Sequence, residues 1–211
     1  GKVSRATVEM VAESKMHDDV LERQTSTYQI ASVDADQFTI YLKEPEQQTR
    51  VYCDGTSLLV ALEADAYLRL PEPISNQQAV TALPLPLGPY PEPVLALAMA
   101  GVDPAITFLS GMKSVTIVDR EPFEADKPAV HLRGVQSDEV TWELWIGTGD
   151  QPRPLRLLVD LTPMLVASNQ VQIPEGYAYQ LRFDFLSWRV TGDVDKSLFT
   201  YTPPQGAKEY R

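Results

Sequence analysis

The side chains able to do chemistry in this chain are few and ill-assorted: one cysteine, Cys53, and two histidines, His17 and His131, stand against 29 Asp and Glu. A thiol nucleophile needs a base to draw off its proton, and a metal site built on two imidazoles needs carboxylates at ligand spacing. Neither histidine lies in a His-x-x-x-His pattern. His17 precedes Asp18 and Asp19 and reads as a turn residue, while His131 in AVHLRG reads as a satisfied core or edge imidazole within a strand rather than a general base. Cys53 cannot form an intrachain bridge and reads as a small buried strand residue. The pairs Asp34/Asp36 and Asp193/Asp195 are turn-like, and Glu143 and Asp184 fall on strand faces opposite the apolar ones. A hydrolase would need clustered Asp, Glu or His in one cleft. Gly147-Thr148-Gly149 begins like a phosphate loop but lies between two strands rather than opening a helix, so it is a hairpin turn. No catalytic residue, metal or cofactor follows from these residues, and the chain reads as a non-enzyme.

Charge and length narrow the class further. The 211 residues carry 18 Lys and Arg against 29 acids, a net charge of −11, and the basic residues are scattered singly. Attraction to nucleic acid or to an anionic lipid surface is therefore not expected. The longest unbroken apolar run, residues 94–100, is far short of a membrane span of roughly 20 residues. Gly1 stands where a start Met would, which reads as a tag scar left after removal of an export signal. One domain over residues 1–211 is expected, since all-β units commonly reach this size.

The elements that must position these side chains are mostly strands. Alternating apolar and polar residues predict strands over 6–15, 21–33, 38–43, 49–53, 57–62 and 66–70, with turns at His17-Asp18-Asp19 and Asp54-Gly55. Residues 71–111 hold too many prolines for a central strand and predict helices over 75–83, 92–100 and from Asp103 to about 111. Strands resume over 114–119, 129–136, 140–146, 155–161, 178–190 and 198–201. Residues 141–160 write a hairpin in one line: Trp142, Leu144 and Ile146 alternate with Glu143 and Trp145, a Gly-Thr-Gly-Asp turn follows, and the return strand alternates again. The expected fold is α+β, mainly β: a strongly curved antiparallel sheet, or half-open β-barrel, with a mid-chain helical lid on its concave face.

The apolar face of that sheet is the candidate binding surface. Its strand residues are Phe38, Ile40, Leu42 and Val51 in the first half, and Trp142, Leu144, Ile146, Leu157, Val159, Leu181, Phe183 and Phe185 in the second. Leu85 and Leu87 approach it from the proline-rich run LPLPL. The same residues serve a dry core with a packed cap equally well, so both readings stay open here.

Several segments carry a family resemblance. They are Asp54-Gly55 after a strand, Val130-His131-Leu132, WELWI at residues 142–146, GDQPRP at 149–154 and FTYTPPQGA at 199–207. In this order they resemble a family of predicted periplasmic proteins of unknown function, marked by W-Q-L-W-I, G-D-x-P-x-P and P-P-x-G-A. That family is similar in fold to the bacterial lipoprotein localisation factors, whose curved sheet is lidded by helices and holds acyl chains. The resemblance implies export to the periplasm or cell envelope and a lipid or acyl-chain ligand in the sheet concavity, in lipid or lipoprotein transport. The alternative is an envelope protein-interaction or scaffold module with a filled core, meeting a protein partner.

Overall fold

The computed structural model describes every residue except 1, 34–35, 64, 71, 73, 82–85, 125–126, 169–171, 193–194 and 211. The elements in chain order are β1 (Val3–Met16), β2 (Asp19–Val33), β3 (Gln37–Lys43), β4 (Gln48–Asp54), β5 (Leu58–Glu63), β6 (Ala66–Leu70), α1 (Asn76–Thr81) and α2 (Glu92–Ala98). They continue as β7 (Met112–Asp119), β8 (Ala129–Gln136), β9 (Thr141–Gly147), β10 (Arg153–Asp160), α3 (Thr162–Ser168), β11 (Tyr177–Thr191), a 3-10 helix (Lys196–Phe199) and β12 (Lys208–Tyr210). All twelve strands belong to one unclosed sheet, ordered β12-β6-β5-β4-β3-β2-β1-β11-β10-β9-β8-β7.

Alternation dictates the strands because each has one buried face. In β3, Phe38, Ile40 and Leu42 are buried while Thr39 and Tyr41 face outward. The hairpins close where turn chemistry was expected. Asp54 accepts from the backbone N–H groups of Thr56 and Ser57, with Gly55 at φ 88°, and His17 adopts φ 53° between β1 and β2. β10 carries a register shift at Pro154, the one place in that ladder where a missing N–H is cheapest.

The chain divides into two compact units. The first comprises Gly1–Val8, Ser26–Ser110 and Ser187–Arg211, and the second Glu9–Thr25 and Gly111–Leu186. Both short helices α1 and α2 belong to the first. α2 buries Pro93, Val94, Leu95, Ala96 and Ala98 over only seven residues, so burial rather than helical propensity sustains it. Among the described residues no helix is long and apolar enough to cross a membrane.

Three expectations need correction. The third helix from Asp103 does not form: the Asp103 carbonyl accepts from both Ile106 and Thr107, and the segment stays in turns. Only Phe108 of residues 103–111 is buried there, too little to hold a short helix. Residues 198–201 are not a strand, because Asp195 caps Ser197 and starts the 3-10 helix instead. Between β10 and β11, where the sequence carried no expectation, Asp160 accepts from Thr162 N–H and opens α3. The sheet is not wholly antiparallel, since β12 pairs with β6 in parallel.

Candidate functional site

The apolar set forms a group on the buried face of each unit. In the first unit β3 and β4 set Phe38 opposite Cys53 and Ile40 opposite Val51, and Phe38, Ile40, Leu42, Val51 and Leu87 are all 0% exposed. In the second, β9, β10 and β11 place Leu144, Leu157 and Phe183 in one row, and Trp142, Val159 and Leu181 in the next. Phe185 is also buried, whereas Ile146 is half-buried. Leu85, Asp34 and Asp193 lie outside the described residues.

In the first unit two polar bonds fasten the helical segment to β2 on the buried face, and a third ties α1 to the residues that follow α2. Tyr28 donates its hydroxyl to the Leu87 carbonyl at 2.5 Å, and burial pushes that phenol well above its ordinary pKa. Ser32 Oγ accepts from Ala100 N–H at 2.7 Å, and Asn76 Nδ2 donates to the Ala100 carbonyl at 2.6 Å. Cys53 is fully buried beside this face, its thiol donating to the Asp36 and Ile74 carbonyls, and burial raises its pKa. A thiol so placed is not an activated nucleophile.

The solvent face of the second unit carries a charge lattice. His131 is buried between two carboxylates, Nδ1 3.1 Å from Asp119 Oδ2 and Nε2 2.9 Å from Glu143 Oε2. The ring stacks on Trp145 with centroids 4.1 Å apart. The resulting cluster of Asp, Glu and His resembles what a hydrolase requires, but both ring nitrogens are already taken up by carboxylates, so neither is open to a substrate. The carboxylates sit on opposite sides of the ring and do not converge, and among the described residues no group of three such side chains is arranged to hold a metal ion. Hydrogen bonding to His131 lowers the Asp119 pKa. Burial pushes Glu143 up, but hydrogen bonds from Arg133 and His131 outweigh it and hold the carboxyl below its usual range. A depression of about 260 Å³ beside this lattice is rimmed by Lys15, Arg133 and Arg182 together with Glu13, Glu143 and Asp160. Its cations are already paired, Lys15 with Glu13, Arg133 with Glu143 and Arg182 with Asp184.

A larger cavity, about 590 Å³, opens on the solvent face of the first unit. Arg5, Arg50 and Arg189 line it, with Tyr41, Tyr52 and Leu198. Sequence reasoning missed it, because these arginines are 45 and 139 positions apart and only the strand register gathers them. The one legible signal was alternation: Tyr41, Arg50 and Tyr52 each fall on the polar phase of their strands.

A family model described as "Predicted periplasmic protein (DUF2092)" matches residues 2–210. No curated protein matches. Among solved structures, the chain is similar to a LolA superfamily protein from Nitrosomonas europaea, at 12% identity over 93% of this chain and 90% of that one, with a TM-score of 0.35. It is also similar to a putative outer membrane lipoprotein-sorting protein domain from Vibrio parahaemolyticus, at 11% identity over 93% of this chain and 88% of that one, with a TM-score of 0.33. Because the family model spans nearly the whole sequence, the chain belongs to this family of predicted periplasmic proteins.

Proposed function

We propose that the protein is a non-enzymatic periplasmic protein that binds an apolar ligand, a lipid or acyl chain, against the buried face of its first unit, and that it serves lipid or lipoprotein transport. The observation that carries this reading is the way that face is covered. Over Phe38, Ile40, Leu42 and Val51 the chain supplies helices of six and seven residues, fastened to β2 through Tyr28 and Ser32 and tied together through Asn76. Helices this short do not persist without burial, so apolar contact and a handful of hydrogen bonds hold the cover down. An acyl chain offers the sheet the same kind of contact and can take the cover's place. Titration with a fluorescent fatty-acid probe tests this. Saturable binding that becomes faster in Tyr28→Phe supports it, and no saturable binding overturns it.

A second reading, an envelope interaction module with a filled core, is favoured by the margin strand β7. Val115, Ile117 and Val118 are 44%, 55% and 46% exposed on a strand with one unpaired edge. Such an edge accepts an extended segment of a protein partner by strand addition. Under this reading Val118→Lys abolishes capture of the partner while probe binding is absent in the wild type.

A further inference from the structure

The arginine-lined cavity opens on the solvent face of the first unit, on the strand phase opposite its apolar residues. Its distinguishing feature is unbalanced charge. The chain as a whole is at −11, yet among the described residues that line this cavity Arg5, Arg50 and Arg189 have no acidic neighbour. Among the described residues none of the three makes an ion pair, whereas the arginines around the smaller depression do. Asp195 feels the charge of Arg5 without bridging to it.

The site is built by register and by the C-terminal segment. Gln29, Tyr41 and Arg50 form one row across β2, β3 and β4, and Ala31, Thr39 and Tyr52 form the next. Arg5 and Thr7 reach the cavity from β1, and Ser187 and Arg189 from β11. Arg50 lies over the Tyr41 ring at 4.8 Å and is hydrogen-bonded to the Tyr41 and Tyr52 side chains, which fixes the guanidinium in the cavity wall. The C-terminal segment supplies the remaining wall. Phe199 anchors the 3-10 helix in a small cluster with Val3, Ala31 and Val33, Leu198 borders the cavity, and Tyr201 stacks on Tyr52 with centroids 5.2 Å apart.

We infer that this cavity binds an anionic glycerol- or sugar-phosphate group, either free or as the headgroup of an anionic phospholipid. Three planar guanidiniums and no lysine among the described lining residues favour a phosphate whose oxygens pair bidentately over a diffuse charge. The hydroxyls of Thr7, Thr39 and Ser187 and the amide of Gln29 suit the oxygens of a polyol. The volume lies within the span of small-molecule sites, roughly 300–1,000 Å³, and exceeds what a bare phosphate needs. A single cavity, rather than a basic stripe, excludes an extended nucleic acid.

Two arms distinguish the sources. Calorimetric titration with glycerol 3-phosphate reads the free ligand, and co-sedimentation with phosphatidylcholine vesicles, with and without phosphatidylglycerol, reads the headgroup. Binding in either arm is expected, with Arg50→Gln and Arg189→Gln each weakening it about tenfold or more, as loss of a charge-assisted hydrogen bond would. Arg120→Gln, which removes the same charge from an exposed position elsewhere, is expected to stay within about twofold. Circular dichroism confirms that each variant folds. No binding in either arm, or an equal loss in Arg120→Gln, overturns the inference.

Discussion

The indole of Trp142 occupies the space that a side chain at Gly134 would need. The two residues are paired across β8 and β9, and a Cβ at Gly134 would meet ring atoms of Trp142 at 2.1 to 2.7 Å. Glycine is required here for close approach, since Gly134 is absent from the positive-φ positions. Gly134→Ala is therefore expected to lower stability by about 1–3 kcal/mol, the usual cost of overpacking a core. Chemical denaturation monitored by tryptophan fluorescence checks this. A variant as stable as the wild type would mean that the indole has another rotamer available.

The His131 lattice makes stability pH-dependent in acid. Asp119 and Glu143 have pKa values held below their ordinary 3.8 and 4.5, so each contributes stability that is fully present above those values and is lost as pH falls through the lowered ones. Urea midpoints are expected to be level with respect to these two groups from neutral pH down to about 5, then to fall. Glu143→Gln should lower stability by about 1 kcal/mol at neutral pH, since the group is only partly exposed, and should flatten the acid limb. An unchanged acid limb in that variant would remove Glu143 from the explanation.

The Tyr28 hydroxyl is the test of how the helical segment is held. Tyr28→Phe keeps the buried ring and deletes one hydrogen bond to Leu87, at an expected cost of about 1 kcal/mol. Amide exchange should quicken in α1 and α2 while β3 and β4 stay protected. Uniform quickening across the first unit would instead mean that the segment and the sheet open as one.

Much of the fold is legible in the sequence because half-buried strands must alternate, and because Asp54-Gly55 marks its turn with the Asp54 carboxylate while His17 takes a positive φ at its own. Helix signals at Asp103-Pro104 misled because capping residues start a helix but burial sustains it, and this segment buries only Phe108. β12 could not be read: its three residues are all exposed and pair with β6, distant in sequence. The apolar set was legible as a face, Phe38 through Phe185, but alternation does not say what covers a face. The arginine cavity was illegible for a different reason. Arg5, Arg50 and Arg189 are single cations in sequence and become neighbours only through the order β4-β3-β2-β1-β11.

Cys53 offers a simple check on the buried face. Its fully buried, high-pKa thiol is expected to resist an aromatic disulfide reagent in the native protein and to react completely in denaturant. Reaction in the native state at a rate that rises in Tyr28→Phe would report opening of the first unit directly.

The central claim, that the first unit carries an apolar ligand beneath its helical segment, is tested most directly by native mass spectrometry of the purified protein, followed by organic extraction of any adduct. The account predicts a mass excess that leaves with the organic phase and returns when the extracted lipid or a fatty acid is added back. A bare protein that also fails to take up added fatty acid would contradict it.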